Sequence, residues 1–468
     1  MNILAFISPF LIGSAIIVIL FPEYSLRGAW LVLTIALGAG IGLGITSSAI
    51  FMWLVLLGRP TTGYFTAELG LALILGILGF HRFRQSGDSR PINPKADDAA
   101  EDPALGWLKT LFIFLLLITI VSFALKASFI DPYGKWDAWT VWNYRARWLF
   151  RGGNLWSQAF AYQIVADAPD YPLLISASVF RMWQIFAKDL TAVPVFIAGI
   201  FCIGSTLLIF SSLAILRGKN QGCLGALFMF ISTQFLKVGT YQYSDVPLAF
   251  FILSTVIAIS LQDQYPTKFR QLSVLAGLTA SCAAWTKNEG LLFIVLVIFI
   301  RFLAQMGKVD GAKALKTFFS WIIGLAPVLS TLIYFKIHFA TENELIGQTN
   351  LQKSGTFLLE GDRYLQIFSA FIKKMVTFND YAIWLLVVYF IISGVDRSGA
   401  GKRNMRPQVV LMLFMLAGYF FSYIISPYDL KWHLNSSLYR LVIQLWPAWV
   451  FLFFYSVKGP ETAAAALR

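Results

Sequence analysis

Apolar runs long enough to cross a lipid bilayer recur along almost the whole chain, and they constrain its fold more than any other feature. A helix needs about 20 apolar residues to span a hydrocarbon core about 30 Å thick, and it satisfies its own backbone polar groups in lipid. Of the 468 residues, 58% are hydrophobic and only 13% are charged, whereas soluble domains carry about a quarter charged residues. The sequence therefore predicts an all-α polytopic integral membrane protein.

The apolar pattern predicts about 13 transmembrane helices, with a range of about 11 to 14. The count varies because residues 29–57 can form one tilted helix or two short ones. The N-terminus lacks a basic region and a small-residue cleavage site, so we interpret it as a retained helix. The predicted spans lie near 3–21, 29–57, 65–80, 107–130, 190–216, 222–238, 246–262, 271–286, 289–306, 318–336, 381–394, 407–425 and 441–457.

Lysine and arginine in the short loops predict the orientation of the chain, because cytoplasmic loops are enriched in both. If the spans alternate, the most basic loops fall on one side, which is then cytoplasmic. The N-terminus is predicted outside and the C-terminus inside. The basic links are 217–219, 268–270, 301–316, 396–406 and the polar linker 81–106.

This orientation divides the chain into five predicted regions. N-terminal transmembrane helices (1–80) and the cytoplasmic linker (81–106) precede a catalytic transmembrane core (107–336), which includes a large outer loop at 131–189. A second outer loop (337–380) and C-terminal transmembrane helices (381–468) follow. The net charge of +13 fits basic loops facing anionic lipid and gives no reason to expect a nucleic acid partner.

The predicted outer segments are also basic, which the orientation rule does not explain. They are 131–189, 239–245, 286–290, 337–380 and 426–440. An anionic substrate on the outer face is the simplest explanation.

The stretch "DPYGKWDAWTVWNYRARWLFRGG" (131–153) opens the first large outer loop. Its Trp and small apolar residues recur at helical spacing, which predicts an amphipathic helix over 137–150 at the membrane surface. An aromatic interface belt with snorkelling arginines, among them Arg145, is the alternative. That alternative does not explain Asp137, an acid placed among indoles.

Within this stretch, Asp137 is the first candidate for a catalytic carboxylate. Tyr144 lies seven residues later and is expected on the same helix face. Asp131, beside Pro132 at the preceding helix exit, is expected to be more solvated and suited to capping or positioning. It is the second candidate.

Two further acidic motifs follow. Asp170-Tyr171-Pro172 begins an apolar segment, 173–187, that is too short for a confident span, so a re-entrant or juxtamembrane helix is expected. A plain loop is the alternative. Asp245 opens a helix before Pro247 and is either functional or an ordinary helix-start residue.

Basic residues mark two other places. "TKNE" (286–289) lies between two apolar runs, and a tight hairpin would expose Lys287 on the outer face and keep it and Glu289 out of hydrocarbon. The alternative is a simple Lys–Glu pair. At the outer end of the last span, the cluster Lys431, His433 and Arg440 forms either an anion site or an interfacial anchor.

The sequence indicates neither a metal nor another cofactor. No grouping of His, Cys and Asp has the ligand spacing of a zinc site, although a divalent ion stays compatible with the outer carboxylates. All three cysteines lie in apolar runs and are interpreted as small buried hydrophobic residues: Cys202, Cys223 and Cys282.

In their order and on one face, these stretches resemble the polytopic GT-C glycosyltransferases that use polyprenyl-phosphate sugars. Protein O-mannosyltransferases and the bacterial aminoarabinose and related lipopolysaccharide sugar transferases are most similar. In that family the first outer loop carries an acidic motif, typically Asp-Glu; Asp137 takes the place of the Asp, while Ala138 stands where Glu is usual. The resemblance covers roughly residues 107–300, with a weaker tail at 426–447. The remaining matches are Tyr171-Pro172-Leu173, Asp245-Val246-Pro247 and Thr286-Lys287.

The resemblance implies a GT-C fold and an inverting transfer of a sugar from a polyprenyl phosphate to a glycan, lipid or protein acceptor. It places the reaction on the periplasmic face of a bacterial inner membrane. Asp137 would accept the acceptor proton, and Asp245 would orient the sugar or acceptor. The leaving phosphate would be held by Lys287 together with Arg145, Lys431, His433 or Arg440.

Two other functions stay open. A glycan ligase or polymerase that uses a diphosphate-linked lipid needs a strongly basic outer loop, which 337–380 could supply through Lys353, Arg363, Lys373 and Lys374. A transporter or flippase usually has ionisable residues near the bilayer midplane and internal repeats. The sequence has no visible repeat, and its charges cluster at helix ends.

Overall fold

The computed structural model is helical throughout the residues it describes, which are 2–24, 26–86, 106–161, 168–305, 311–343, 345, 347, 355–379, 382–396 and 405–461. Across these residues the one β-type pairing is the isolated bridge between Val395 and Val457. The helices are α1 (Asn2–Leu20), α2 (Gly28–Leu57), α3 (Thr62–Ser86), α4 (Trp107–Leu125), α5 (Asn143–Arg151), α6 (Leu174–Phe186), α7 (Ala192–Arg217), α8 (Lys219–Ile231), α9 (Thr233–Thr240), α10 (Asp245–Gln264), α11 (Phe269–Thr286), α12 (Glu289–Gln305), α13 (Gly311–His338), α14 (Gly361–Thr377), α15 (Ala382–Ser393), α16 (Arg406–Ile424) and α17 (Leu430–Ser456).

The helices confirm a polytopic membrane protein, but they do not establish the predicted number of spans. Within the described residues, nine helices are long and apolar enough to cross a membrane. The bent pairs α8–α9 and α14–α15 raise the number to 11 if each pair is one span. Two more predicted spans correspond to α11 and α12, which are not among those 11. The count of 13 stays a prediction.

The centre of the bundle is α10, whose apolar window is entirely buried. It packs against α7, α11 and α17. A helix that is apolar on all sides is expected at such a place, because no face of it prefers water. Asp245 at its first position is therefore brought into the middle of the molecule.

Contacts among the segments that connect the helices show that these segments lie at two opposite ends of the bundle. At the loop end, which carries 131–160, 168–173, 241–244 and 287–288, Lys135 donates its backbone N–H to the Tyr241 carbonyl at 3.2 Å. At the opposite end, the far end, Lys268 pairs with Glu23 at 2.6 Å, and Arg217 pairs with Asp396 at 2.6 Å. The predicted outer segments thus meet at one end, and the described basic links meet at the other.

The surface helix predicted over 137–150 is interrupted in the structure. Ala138–Trp142 forms a π-helical turn, and α5 follows it. A π-turn closes its hydrogen bond one residue later than an α-turn, so it rotates the preceding residues relative to α5. As a result Trp142, Ala146 and Leu149 are buried as expected, whereas Trp139 is 49% exposed.

The short apolar segment 173–187 does not cross the bundle. Its helix, α6, has 13 residues, which corresponds to about 20 Å. Nearly all of it is buried against α1, α2, α5 and α7. This agrees with the expected re-entrant or juxtamembrane helix and excludes a full span there.

Other boundaries need correction or lie outside the described residues. Helix α3 continues to Ser86, past the predicted limit at 80. The predicted outer loop 337–380 contains α14, because its apolar residues recur at helical spacing and Ile367 and Phe371 pack into the core. Most of the predicted linker 81–106 and Lys353 lie outside the described residues.

Candidate active site at the loop end

Arg440 joins two carboxylates that are far apart in sequence. Its two terminal nitrogens both contact Asp137, with Nη1 donating to Oδ1 at 3.2 Å and Nη2 donating to Oδ2. Its Nε donates to Asp245 Oδ2 at 2.9 Å. A guanidinium that binds one carboxylate with two parallel bonds fixes the plane of that carboxylate. Arg440 therefore orients Asp137 and ties it to the start of α10.

Lys287 is the second cation of this network. Its Nζ lies 3.0 Å from Asp245 Oδ1 and 2.9 Å from Glu289 Oε1. The residue occupies the turn between α11 and α12, where the Gly290 N–H donates to the Lys287 carbonyl at 3.0 Å. A Cβ at Gly290 would come within 2.1 Å of the Ala283 carbonyl oxygen, so this turn requires glycine.

The predicted exposure of Lys287 was wrong, although the predicted turn is present. The side chain is buried. Burial alone would lower the pKa of its ammonium, but Asp245 and Glu289 raise it, and the net pKa lies above the usual value. Two carboxylates thus stabilise the charge that the hairpin was expected to expose to water.

Gln444 and Tyr419 complete the network, and neither was a candidate from the sequence. Gln444 Nε2 donates to Asp245 Oδ1 at 2.6 Å and to Glu289 Oε1 at 3.1 Å. The Tyr419 hydroxyl donates to Gln444 Oε1 at 2.6 Å. Gln444 follows Arg440 by four residues in α17, so helical spacing from Arg440 was the available signal.

The three candidate aspartates differ in the exposed fraction of their side chains. The side chain of Asp137 is 18% exposed, that of Asp245 is fully buried and that of Asp131 is 3% exposed. Asp131 was expected to be the more solvated residue, and this was wrong. After the π-helical turn Lys126–Ile130, its backbone lies under Gln242, whose amide donates to the Asp131 carbonyl at 3.4 Å. Its carboxylate pairs with Lys135 at 2.6 Å.

Two tyrosine rings line the network. Lys287 Nζ lies 5.6 Å from the ring centre of Tyr171, and the Arg440 guanidinium carbon lies 4.6 Å from that of Tyr243. Burial raises the pKa of both phenols, so both stay protonated at neutral pH. The Tyr171 ring also stacks on Trp142 at 5.7 Å.

Some polar atoms beside the network have no protein partner among the described residues. They are the buried atoms Glu289 Oε2, Ser244 Oγ and Trp142 Nε1. Buried polar groups normally form a hydrogen bond.

Arg145 belongs to a second polar cluster next to this network. Its guanidinium donates to the carbonyl of Tyr171 at 2.8 Å and to that of Ala168. Burial lowers the pKa of Arg145 to about 10, which leaves it charged at neutral pH. The neighbouring Asp170 carboxylate accepts from Asn288 at 2.7 Å and from Asn343 at 2.8 Å.

This second cluster fastens the loop that carries Tyr171. Lys336, at the end of α13, donates to the Asp170 carbonyl at 2.6 Å and to Asn288 Oδ1 at 2.7 Å. Asn288 lies between Lys287 and Glu289 in the turn. The cluster therefore holds Tyr171 against the first network and gives Arg145 a position distinct from the one expected.

Two of the predicted basic residues do not reach the Arg440 network. Lys431 is exposed, and it precedes Arg440 by nine residues of α17, a rise of about 14 Å. His433 is held by Ser426, with Nδ1 to Oγ at 2.8 Å, and packs on Tyr423. Tyr144 is partly buried on α5.

The structure also contains a separate buried ion pair that was not predicted from the sequence. Arg181 of α6 donates through Nε to Glu68 Oε2 at 2.9 Å, and through Nη2 to Ser8 Oγ at 2.9 Å. Arg181 and Glu68 are both buried. A lone acid in the apolar run 65–80 was the available signal, since ionisable residues within spans are rare and partnered.

Comparison of the chain with protein-family models, with curated proteins and with solved structures gave no match. Any indication of its chemistry comes from the residues gathered at the loop end. Five of the predicted site residues meet in one network there: Asp137, Asp245, Lys287, Glu289 and Arg440.

Proposed function

We propose that the protein is an inverting glycosyltransferase of GT-C type, which moves a sugar from a polyprenyl-phosphate donor to an acceptor. One observation carries the proposal. Of the three candidate aspartates, only Asp137 is both accessible and part of the network around Arg440. That network joins five remote segments at one end of a membrane bundle. Such an arrangement suits a reaction between a lipid-borne donor and an acceptor at the membrane surface.

Asp137 acts as the base in this proposal. It takes the proton from the acceptor hydroxyl while that oxygen forms a bond to the anomeric carbon of the sugar. The bond from this carbon to the phosphate oxygen breaks, and polyprenyl phosphate leaves with the electron pair. A single displacement inverts the anomeric carbon. An ionised carboxylate has about four acceptor positions, and Arg440 occupies two of them, so Asp137 keeps positions for the proton.

The other members of the network hold this base in place or face the substrate. Asp245 is fully buried and bonded to Arg440, Lys287 and Gln444, so its role is to position Arg440. Glu289 is partly exposed and has an oxygen without a partner, which suits a hydroxyl of the sugar or the acceptor. Preorganised groups of this kind need no rearrangement during the reaction.

The proposal includes an outward orientation of the loop end in a bacterial inner membrane. It rests on the basic links at the far end. The acceptor is a glycan, lipid or protein of the cell envelope.

A test of this function does not require the acceptor to be known. The purified full-length protein would be incubated with membranes of the source cell and a panel of radiolabelled polyprenyl-phosphate sugars. We expect label from one sugar to enter membrane material with the wild type and not with Asp137→Asn. Failure of every sugar in the panel to be consumed would remove the proposal.

A transporter is the other class to consider, because broken helices are common in transporters and α8–α9 bends by 64°. The break is filled by protein groups. Trp446 Nε1 donates to Ser232 Oγ at 2.8 Å, and the Gln234 N–H donates to Asn379 Oδ1 at 2.8 Å. These contacts are all made within the protein, which favours a structural role for the break over a substrate site.

A ligase or polymerase is favoured less by the described part of loop 337–380. Arg363 binds the Tyr423 carbonyl at 3.0 Å and the Ser426 carbonyl at 2.7 Å. Lys373 and Lys374 lie near the end of α14. These cations are not gathered around one point, as a diphosphate would require.

A further inference from the structure

The Arg440 network has no positive charge to spare for the phosphate of a donor. It contains three carboxylates, Asp137, Asp245 and Glu289, and two cations, Lys287 and Arg440. One negative charge is therefore in excess. A phosphate at this network would meet a net negative charge, and displacing a carboxylate from either cation would leave that carboxylate unpaired, which is strongly unfavourable where it is buried.

A group of lysines at the edge of the network has the opposite net charge. Lys126 Nζ lies 5.9 Å and Lys135 Nζ lies 5.8 Å from the ring centre of Tyr241. Lys237 lies one helical turn before Tyr241 on α9 and is exposed. Against these three cations stands the carboxylate of Asp131, which pairs with Lys135. Two positive charges are in excess there.

Gly134 brings the two sides of this lysine group together. It has a φ of +74°, and a Cβ there would lie 2.5 Å from the Tyr241 carbonyl oxygen. The next residue donates its N–H to that oxygen at 3.2 Å. Lys135 can reach the Tyr241 ring because glycine precedes it.

The lysine group is connected to the Arg440 network by a pair of rings. The centres of Tyr241 and Tyr243 are 5.7 Å apart, which is comparable to the width of one pyranose ring. Tyr243 then contacts Arg440, which holds Asp137. A sugar lying on the two rings would have a phosphate at the lysines on one side and the base Asp137 on the other.

The apolar surface next to the lysine group, along α4, is exposed. Lys126 follows α4 within the candidate span Trp107–Ile130, the least buried of the nine described candidates. Phe129 and Ile130, next to it, are 79% and 71% exposed. A prenyl chain along α4 would therefore end, at its polar head, beside Lys126.

We propose that Lys126 and Lys135, whose ammonium groups both lie beside the Tyr241 ring, bind the phosphate monoester of a prenyl lipid, whose sugar lies on Tyr241 and Tyr243. This rests on the proposed function and deepens it, because it assigns the donor phosphate to residues outside the Arg440 network. Lys237 adds to the local positive charge. The hydrogen bond to Asp131 raises the pKa of the Lys135 ammonium, so Lys135 is charged at neutral pH.

The test is equilibrium binding of tritiated polyprenyl phosphate to the full-length protein, measured by scintillation proximity. The double variant Lys126→Gln/Lys135→Gln is compared with Lys109→Gln, which alters an exposed lysine at the other end of α4. We expect the double variant to bind about 10-fold more weakly or worse, because it loses two charged hydrogen bonds. Lys109→Gln should bind as the wild type does.

Competition identifies the source of the phosphate. Unlabelled polyprenyl phosphate should displace the label, whereas polyprenol, phosphatidate and inorganic phosphate should compete poorly. Equal competition by phosphatidate would overturn the proposal, because the lysines would then bind any lipid headgroup. The sugar position is tested with a polyprenyl-phosphate sugar, whose binding Tyr241→Leu should weaken and Tyr241→Phe should preserve.

The remaining outcomes separate this site from the proposed function. If the double variant binds as tightly as the wild type, the two lysines are membrane anchors and the proposal fails, while the glycosyltransferase stands. If the wild type does not bind polyprenyl phosphate, the phosphate site and the proposed donor both fail.

Discussion

Arg440 and Arg181 are two guanidinium groups at the same end of the bundle, each bonded to carboxylates, and their surroundings differ. The side chains of Arg181 and Glu68 are 0% and 3% exposed. The Arg181 guanidinium carbon lies 5.9 Å from the ring centre of Phe65. Arg440 and Asp137 are 16% and 18% exposed. The Arg181 pair is balanced, with one cation and one carboxylate, whereas the Arg440 network has a carboxylate in excess.

On the proposed function, this difference separates a structural ion pair from the network that holds the base. A balanced, closed pair can only hold helices together, and here it joins α3 to α6. An accessible network with an unbalanced charge can still exchange a proton or accept a hydroxyl group. The predictions below test that division of roles.

The largest effect is expected from Asp137→Asn. The substitution keeps the shape of the side chain and removes the proton acceptor, so transfer should fall by about two to four orders of magnitude. Binding of polyprenyl phosphate should stay nearly unchanged, as should the thermal unfolding midpoint. The control is Asp131→Asn, which should keep most of the activity. An active Asp137→Asn beside an inactive Asp131→Asn would mean that the base is Asp131.

Arg181→Met should act on stability and not on turnover. It leaves Glu68 buried without its cation, which lowers the free energy of unfolding by about 3–5 kcal/mol. The double variant Arg181→Met/Glu68→Leu should recover most of this loss, since an apolar pair can replace a buried ion pair. Unfolding is followed by circular dichroism during denaturation with SDS. Loss of transfer per folded molecule in Arg181→Met would place this pair in the active site.

Lys287→Ala should lower transfer by about 10- to 100-fold, which corresponds to the loss of a charged hydrogen bond worth about 1.5–3 kcal/mol. The chain should still fold, because Arg440 and Gln444 continue to hold Asp245. The matched control is Lys431→Ala, an exposed lysine of α17, for which we expect a change of no more than about twofold. The measurement is the initial rate of transfer by each variant with saturating donor. Equal rates for both variants would exclude Lys287 from the site.

The smallest effect is expected at the far end of the bundle. Lys268→Gln breaks the pair with Glu23, and such partly exposed pairs contribute about 0.2–1 kcal/mol. Glu23→Gln should lower the unfolding midpoint by the same small amount, and neither variant should change transfer. A measurable loss of transfer in either would show that the two ends of the bundle are coupled.

The sequence was sufficient to predict the membrane bundle and, one by one, the charged members of the network. Asp245 and Lys287 were recognised because each is an ionisable residue at the end of an apolar run, and Asp137 because it is an acid among indoles. The sequence could not predict which of these residues pair with each other, because Arg440 reaches Asp137 only after all the intervening helices have packed. Lys431 was grouped with Arg440 by closeness in sequence, and the rise of the helix separates them.

The missed residues were uncharged or isolated. Gln444 is neutral and lies inside an apolar helix, so charge patterns do not identify it. Glu68 and Arg181 are single charges in separate apolar runs, and their interaction depends on how α3 and α6 pack. The π-turn at 138–142 was also missed, because local propensity does not distinguish it from an α-turn.

The separation of Asp137 and Arg440 by 303 residues has a consequence for biosynthesis. A ribosome adds about 5–20 residues per second, so Asp137 emerges roughly 15–60 s before its partner. During that interval the carboxylates of the future site lack the cation that joins them. On the proposed function, the nascent chain should therefore be inactive until α17 has been inserted, and a chain truncated before that helix would reach the membrane without the Arg440 network.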